Sequence, residues 1–247
     1  MSDTDKDPAR IAGMFDAIAG RYDLLNRLLS LGLDTRWRAN AVRAAALRPG
    51  ETVVDLCAGT CDLAIAAASG RAGLARVVAV DLAAGMLRRG LAKVRRSGLP
   101  AEVSIVCGDV SALPVRSASV DAVMIAFGIR NTKAPALVFR EVHRVLREGG
   151  RFIVLEFGIP KGRLIGWLYL RYFRRILPAV GRLVSGHPSA YSYLRDSVKE
   201  FPPPGAIAET LETCGFSGRP PVPLSRGIVY LYVVEKGARE VLGPSGL

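Results

Sequence analysis

The chain has 247 residues, half of them apolar, and a formal net charge of +12. This size is enough to bury the core of one large α/β domain. Two histidines, and four cysteines without zinc-type spacing, argue against a dedicated metal site. The first ten residues are polar and charged, and no run of about eighteen uncharged apolar residues occurs, so neither a signal peptide nor a membrane-spanning helix is predicted. The positive charge favours an anionic partner: nucleic acid, a phospholipid surface or an acidic substrate.

Two helices are predicted ahead of the first strand, at 9–31 and 35–47. The apolar residues of the first fall at three- and four-residue spacings and form one stripe: Phe15, Ile18, Tyr22, Leu25 and Leu29. Helices in this position lie outside the central β/α repeat, so we expect them to cross one edge of the sheet or to cover a pocket. Most of their residues are equally well explained as a packing appendage. Arg21, Tyr22 and Asp23 are the candidates to face a pocket.

The segment 51–81 predicts a buried strand, a turn of small residues, a helix and a second strand that ends on Asp81. Open α/β sheets bind ligands at the carboxyl ends of their strands. Asp55 closes the first strand, Gly59 lets a ligand approach the backbone, and Thr60 lies where the helix begins and free N–H groups can hold an anion. Asp81 is placed to bond a ribose diol. An ordinary βαβ unit explains this fragment equally well.

Two cysteines, Cys57 and Cys61, bracket the turn of small residues. A metal or a disulfide between them is one interpretation. We favour the simpler one, in which both are small core residues of a protein from a reducing compartment.

Further strands and helices alternate along the rest of the chain. Strands are predicted at 52–56, 102–107, 120–125, 151–156 and 229–234, and helices at 84–97 and 135–146. Asp109, after the third strand, can cap a turn or meet the base of a nucleoside. The fourth strand leads into a loop with Arg130 and Asn131. A turn at 220–225 before the last strand predicts a terminal hairpin, and hence seven strands rather than the six parallel strands of a dinucleotide dehydrogenase.

The segment 161–185 mixes aromatic residues with five arginines. Basic, aromatic helices of this kind lie well on a membrane surface, with the arginines toward anionic headgroups. A lid helix packed over a pocket explains the composition equally well. His187 and Tyr191 belong to the polar, aromatic turn that follows.

Three short signatures, at 14–26, 127–131 and 190–202, occur in this order around the glycine-containing turn. Together they resemble the class I S-adenosylmethionine-dependent methyltransferases, and among them the C-methyltransferases of menaquinone and ubiquinone biosynthesis. The resemblance covers about 14–235. It implies an α/β, Rossmann-like fold whose seven-stranded, mostly parallel sheet has an antiparallel C-terminal hairpin, with a helical N-terminal lid and an inserted amphipathic helix.

We therefore expect one methyltransferase domain at 1–237, followed by a tail at 238–247. Its parts are an N-terminal helical lid (9–47), a cofactor-binding core (51–156), an inserted substrate or membrane lid (161–202), and a C-terminal helix and hairpin (203–235).

The resemblance implies S-adenosylmethionine as the cofactor and a set of residues that hold it. This set is Asp55, Gly59, Thr60, Asp81, Asp109, Val110 and Ala126. Two positions depart from the family pattern. Cys61 replaces the second glycine of the turn, so we expect its thiol beside the methionine end of the cofactor, with an adjusted local backbone or a lowered affinity. Ala126 replaces a serine, and a hydrogen bond to the cofactor is lost there or taken up by backbone.

The resemblance also implies C-methylation of a polyprenyl quinol, with demethylmenaquinol as the expected acceptor. The methoxy-polyprenyl-benzoquinol of the ubiquinone pathway and another small apolar acceptor are the alternatives. The ring hydroxyl must lose a proton whose pKa in water is about 10. Arg130 is the expected oxyanion stabiliser, with Asn131 beside it. Asp23 is the preferred proton acceptor, ahead of His187 or a bound water. The expected contacts to the quinol ring are Tyr22, Tyr191 and Phe127.

We expect no nucleic-acid partner and a peripheral contact with an anionic membrane from the cytoplasmic side, and we leave a homodimer open. Two other classes of protein are alternatives. A nicotinamide-dependent dehydrogenase is disfavoured because the turn lacks G-x-G-x-x-G and an acid, Asp55, precedes it. A non-catalytic nucleic-acid or membrane-surface protein would explain the charge, but the chain lacks RNP-type and helix-turn-helix signatures.

Overall fold

The computed structural model describes residues 6–70, 73–99, 101–160, 162, 171 and 188–237, with the backbone alone at 188–191. The helices are α1 (Pro8–Ile18), α2 (Tyr22–Leu29), α3 (Leu33–Ala44), α4 (Asp62–Ala68), α5 (Ala84–Arg96), α6 (Pro135–Val145), α7 (Pro188–Glu200) and α8 (Pro204–Thr213). The strands are β1 (Thr52–Leu56), β2 (Arg76–Asp81), β3 (Glu102–Cys107), β4 (Val120–Ala126), β5 (Leu146–Phe157), β6 (Phe216–Gly218), β7 (Val222–Leu224) and β8 (Val229–Lys236). Short 3₁₀ turns occupy Ile129–Asn131 and Ser225–Gly227.

The strands form one sheet in the order β3-β2-β1-β4-β5-β8-β6. β1 to β5 are parallel to one another, and β8 is antiparallel to β5. The short strands β6 and β7 both pair with β8 in antiparallel fashion. The predicted mostly parallel sheet with an antiparallel C-terminal end is confirmed. The segment at 220–225, predicted as a turn, contains β7, because the chain makes a short ladder with β8 before it turns back.

The prediction of a single helix at 9–31 is wrong, since the chain forms two helices there. α1 ends at Ile18 and α2 begins at Tyr22. Gly20 lies in the break, consistent with the low helix propensity of glycine. The predicted apolar stripe nevertheless faces one cluster, in which Ile18 and Leu25 are buried against Val198 of α7.

Alternate residues of the central strands pack against opposite layers of helices. Val54 of β1 packs in one cluster with residues of α6 and α8, whereas Val53 packs in the other with residues of α3 and α4. This alternation is the period-two pattern of a strand whose two faces are both buried. The carboxyl ends of β1, β2 and β4 therefore lie at one edge of a sheet that is covered on both faces.

All four cysteines are free. Cys61 is buried and Cys57 is partly buried, as expected of small core residues. Cys214 is also partly buried, whereas Cys107 is exposed at the end of β3. Within the described residues there is no group of three or more metal-ligating side chains, and no helix long and apolar enough to cross a bilayer.

Gly90 of α5 packs directly against the side chain of Cys61, at the start of α4. The Cys61 side chain is fully buried, and a Cβ at Gly90 would overlap its Sγ. We predict that Gly90→Ala destabilises the fold by about 1–3 kcal/mol, although alanine is the better helix former. The double variant with Cys61→Gly should recover at least about 1 kcal/mol of this loss, because the overlapping thiol is gone. Urea unfolding measures both.

Gly13→Ala is the matched control for this pair. Gly13 lies in α1 with open space around its Cβ position, so the same change should stabilise the protein by up to about 1 kcal/mol. Equal effects of Gly90→Ala in the wild-type and Cys61→Gly backgrounds would show that the two residues are not coupled.

Candidate active site

A cavity of about 260 Å³ lies at the carboxyl ends of the parallel strands, under α1 and α2. Eight of the residues proposed from the sequence line it: Tyr22, Gly59, Asp81, Asp109, Val110, Ala126, Phe127 and Asn131. Sequence reasoning missed several apolar wall residues: Ile11, Ala12, Phe15, Met86 and Leu137. The cavity thus joins an acidic rim on the sheet to apolar walls from the N-terminal helices.

Asp81 is the most firmly positioned acid on this rim. Its Oδ2 accepts the Gly59 N–H at 2.8 Å and its Oδ1 accepts the Ala83 N–H at 2.8 Å. Burial raises the pKa of its carboxyl group, and these backbone hydrogen bonds partly offset that effect. A carboxylate oxygen has further acceptor capacity, so a bound diol can add its hydroxyl protons to both oxygens. Gly59 has φ of +54°, and a Cβ there would lie 3.3 Å from Met86 Cε.

Asp109 caps a turn, as one of its two interpretations predicted, and it also lines the cavity. Its Oδ1 accepts the N–H and the hydroxyl of Ser111, each at 2.8 Å, so it caps the turn after β3. The residue also lines the cavity, next to Val110. The Asp109 carboxylate is therefore held in place by the turn while it faces the cavity.

Asp55 and Thr60 do not line the cavity within the described chain. Asp55 is buried, and its Oδ2 accepts the N–H of Ala64, in the first turn of α4, at 2.9 Å. Burial raises the pKa of Asp55 to about 8. Thr60, also buried, donates its hydroxyl proton to Asp23 at 2.6 Å. Both side chains support the turn from within the protein, on the side away from the cavity.

Asp23 belongs to a polar network that fastens α2 to the helices after β1 and β2. Besides the Thr60 hydroxyl, it accepts from Lys93 Nζ at 2.8 Å, and Lys93 also pairs with Asp62. Asp23 is absent from the described cavity wall. Its predicted part as the proton acceptor stays a prediction. Lys93 was not singled out in the sequence because it lies 70 residues from Asp23.

Asp16 of α1 is a further residue that the sequence did not reveal. Its Oδ1 accepts the backbone N–H groups of Gly85 at 2.8 Å and Met86 at 3.1 Å, in the first turn of α5. The residue at the N-cap of α5, Ala83, has no side chain that can cap the helix. A carboxylate from α1 therefore supplies the cap and fixes α1 over the cavity.

Arg130 is buried behind the cavity rather than on its wall. Its Nη1 donates to Glu156 Oε1 at 2.9 Å and to the carbonyl of Phe127, and its guanidinium stacks over the Phe157 ring at 5.3 Å. Among the described residues its Nε has no hydrogen-bond partner. The predicted direct contact of Arg130 with a substrate oxyanion stays a prediction. In the structure it holds the loop that follows β4.

Phe127 and Asn131 form the part of this loop that reaches the cavity. Phe127 has φ of +59°, a left-handed conformation that is costly for an aromatic residue. Its carbonyl accepts from Arg130 and, at 3.5 Å, from Asn131 Nδ2. Asn131 Oδ1 accepts a hydrogen bond from the hydroxyl of Tyr193 at 3.2 Å, so the oxygen and the nitrogen of the amide each have a partner. Burial raises the pKa of Tyr193 to about 12, which keeps this hydroxyl a donor.

Tyr22 is the contact of α2 with the cavity. Its ring meets that of Phe15 edge-on, with centroids 6.0 Å apart. Burial raises the pKa of its hydroxyl. His187 and the segment 161–185 lie outside the described residues except for 162 and 171, and the side chain of Tyr191 is likewise not described.

Ala126 lines the cavity, whereas the thiol of Cys61 turns away from it. Cys61 has φ of +64°, and its side chain packs against Gly90 of α5. The expectation that this thiol lies beside the ligand is therefore wrong. The left-handed backbone of the turn directs the side chain of Cys61 into the protein.

The family model that matches the chain is the ubiE/COQ5 methyltransferase family, and the match covers residues 3–236. The chain belongs to this family. The demethylmenaquinone methyltransferase of Mycolicibacterium paratuberculosis is 39% identical over 238 residues, which are 96% of this chain and 99% of the relative. The ubiquinone/menaquinone biosynthesis C-methyltransferase UbiE of Syntrophotalea carbinolica is 44% identical over 93% of this chain and 94% of its own.

A solved structure with the same fold is a putative S-adenosyl-L-methionine-dependent methyltransferase from Methanococcus maripaludis. Its TM-score is 0.62 at 18% identity, over 91% of this chain and 94% of that one. Membership of the ubiE/COQ5 family makes the chain a methyltransferase with S-adenosylmethionine as its cofactor, and the dehydrogenase and non-catalytic alternatives fall away. The cavity fits this cofactor, because Asp81 offers two oriented acceptors beside a turn that a Cβ at Gly59 would crowd.

The buried carboxyl of Asp55 predicts a pH-dependent stability. Its pKa is about 8 in the folded protein against 3.8 for the free side chain. Between these values the folded state binds more protons than the unfolded state, so stability falls as pH rises. We expect the free energy of unfolding of wild type, relative to Asp55→Asn, to fall by roughly 1–4 kcal/mol from about pH 5 to pH 8.

The asparagine variant keeps an oxygen that can accept the Ala64 N–H, so it isolates the charge. Denaturant unfolding at each pH gives the comparison. Parallel pH profiles of the two proteins would show that Asp55 is ionised throughout.

Proposed function

We propose that this methyltransferase transfers a methyl group to a ring carbon of a polyprenyl quinol and converts demethylmenaquinol to menaquinol. The observation that carries the proposal is a cavity in which an acidic rim for the cofactor adjoins apolar, aromatic walls for a flat ring. The name of the relative that aligns with 96% of this chain, a demethylmenaquinone methyltransferase, supports it.

The residues that we propose to hold S-adenosylmethionine are those of the acidic rim. Asp81 bonds the ribose hydroxyls, Gly59 admits the ligand to the turn, and Asp109 with Val110 meets the base. Ala126 and Asn131 also line the cavity. The bound cofactor supplies an electrophilic methyl group, so the remaining task of the protein is to place and activate the ring carbon.

Activation of the ring requires that a quinol hydroxyl be stabilised as it loses its proton. Tyr193 donates to Asn131 Oδ1, so the Nδ2 end of the amide is left to face the loop and the cavity. We propose that Asn131 Nδ2 donates to the ring oxygen and that Tyr193 positions the amide for this task. Phe127 and Tyr22 line the ring pocket.

The positive charge of Arg130 lies directly behind this loop. It is paired with Glu156, and both side chains are buried. A buried pair of this kind fixes geometry more than it adds stability. We propose that Arg130 acts on the reaction by holding the carbonyl of Phe127, and with it the orientation of Asn131.

The methoxy-polyprenyl-benzoquinol of the ubiquinone pathway is the second candidate acceptor. The relative from Syntrophotalea carbinolica carries both pathways in its name. The two acceptors share a quinol ring and an isoprenoid tail, so the same cavity geometry serves either.

We also propose that the protein works at the cytoplasmic face of an anionic membrane, where its polyprenyl substrate resides. The net charge of +12 supports electrostatic attraction to such a surface. A homodimer and the absence of a nucleic-acid partner stay predictions.

The deciding experiment is a product assay. Purified protein is incubated in detergent with S-adenosylmethionine and chemically reduced demethylmenaquinol, and the quinone fraction is weighed by mass spectrometry. We expect the mass of one added methylene on the ring. If only the methoxy-benzoquinol is methylated, the ubiquinone pathway is the correct one. If neither is methylated while S-adenosylhomocysteine still binds, the quinol proposal fails.

Asp81→Asn should weaken S-adenosylhomocysteine binding by about tenfold to a hundredfold. An amide nitrogen cannot accept an N–H, so one of the hydrogen bonds from Gly59 and Ala83 is lost together with a ligand contact. Isothermal titration calorimetry measures the affinity. Asp121→Asn is the matched control, since Asp121 accepts the Thr52 N–H at the opposite end of the sheet. Equal losses in both variants would point to general destabilisation.

Tyr193→Phe should lower kcat by about tenfold while cofactor affinity stays unchanged, because the amide of Asn131 loses its orientation. The rising limb of the pH–rate profile should also shift to higher pH, since the quinol hydroxyl is less well stabilised as an anion. In an Asn131→Ala background the same change should have little further effect. Fully additive losses would contradict a positioning role for Tyr193.

A further inference from the structure

The helix α2 carries leucines on two faces. Leu25 and Leu29 pack inward, in the cluster that joins α1 to α7. Leu24 and Leu28 are 55% and 48% exposed, and Leu31, just past the end of the helix, is 85% exposed. Leu24 and Leu28 lie one turn apart on the same side of α2. Together with the exposed Leu31 that follows the helix, they are here called the outer leucine face. A surface helix ordinarily turns polar residues to water on this side.

Arginines border the outer leucine face. Arg21 is the N-cap residue of α2, and Arg27 lies beside the line from Leu24 to Leu28 at the 100° rotation per residue of an α-helix. Both residues are exposed. The Nε of Arg27 is 3.6 Å from Asp34, yet its side chain remains 61% exposed. An apolar strip between arginines is the pattern of helices that lie in the boundary between headgroups and acyl chains.

The outer leucine face is fixed with respect to the cavity. Tyr22, in the first turn of α2, lines the cavity. Asp23, its neighbour, binds Lys93 of α5 at 2.8 Å, which fastens the helix to the domain. A surface that engages the outer side of α2 therefore lies about one helix diameter, roughly 10 Å, from the cavity.

We infer that the outer leucine face docks into an anionic lipid bilayer, with Leu24, Leu28 and Leu31 among the upper acyl chains and the flanking arginines at the headgroups. The excess of 34 lysines and arginines over 22 acidic residues favours an anionic lipid surface as the partner of this face. The inference rests on the proposed function in one respect, since it locates the membrane contact that a polyprenyl substrate needs. The contact itself does not depend on which ring is methylated.

Vesicle flotation of the full chain tests the inference. Vesicles of phosphatidylglycerol and phosphatidylcholine in equal parts should bind the wild-type protein, and the double variant Leu24→Ser/Leu28→Ser should bind about tenfold more weakly or worse, since two half-exposed leucines lose their apolar contact. Arg27→Gln should lower the preference for anionic over neutral vesicles by about fivefold, the effect of one basic residue near a charged surface. The control is Val222→Ser, because Val222 is 48% exposed and lies on β7.

Turnover of a short-tailed quinol in detergent separates this inference from the proposed function. Leu24→Ser/Leu28→Ser should keep wild-type turnover there, and its thermal unfolding should shift by only a few degrees, because both leucines are about half exposed. Unchanged vesicle binding in this variant, or an equal loss in Val222→Ser, would overturn the inference. A wild-type dimer in sedimentation that the variant dissociates, with vesicle binding retained, would overturn it as well and assign the face to a second copy of the chain. An absence of turnover in the wild-type protein bears on the proposed function, not on the membrane contact.

Discussion

The cavity depends on two acidic residues of the N-terminal helices that accept hydrogen bonds from the segments following β1 and β2. Asp16 caps α5, and Asp23 accepts from Thr60 and Lys93. Asp34 accepts from Arg38 within α3, and Arg38 in turn lies 3.8 Å from Asp62 of α4. Charge-assisted hydrogen bonds to backbone N–H groups and to cations are strong and directional. They hold α1 and α2 over the end of the sheet, and without that cover the acidic rim would be an open edge.

A side chain from another part of the chain also caps α4. α4 begins at Asp62 after Cys61, whose side chain does not cap it. Asp55 of β1 supplies the acceptor for Ala64 instead. Both helices at the ligand edge are thus capped by aspartate side chains from elsewhere in the chain. This arrangement leaves the turns themselves free of bulky capping residues, so that the backbone near Gly59 can face a ligand.

The strands and the acidic rim could be predicted from the sequence because their signals are local. The apolar run at Thr52–Leu56 and the strand ending at Asp81 lie in the structure where they were expected. Asp16 and Lys93 were missed because each finds its partner about 70 residues away. No periodicity or cap signature encodes such a pairing. The break between α1 and α2 was missed for the opposite reason, since the apolar stripe continues across it and masks the interruption.

Three residues other than glycine adopt left-handed backbone conformations at the carboxyl ends of β1 and β4: Cys57, Cys61 and Phe127. Each such residue costs on the order of 1–3 kcal/mol, and the surrounding structure must impose it. The structure shows the contacts that impose these left-handed conformations. Gly128 has no Cβ, so its backbone can approach Cys57, and Gly90 likewise leaves room for Cys61. The carbonyl of Phe127 accepts hydrogen bonds from Arg130 and Asn131. A glycine on the facing element therefore provides the space that a glycine in the turn would otherwise provide. The replacement of a turn glycine by Cys61 is accommodated by α5, on the side of the turn away from the cavity, and the cavity wall keeps its shape.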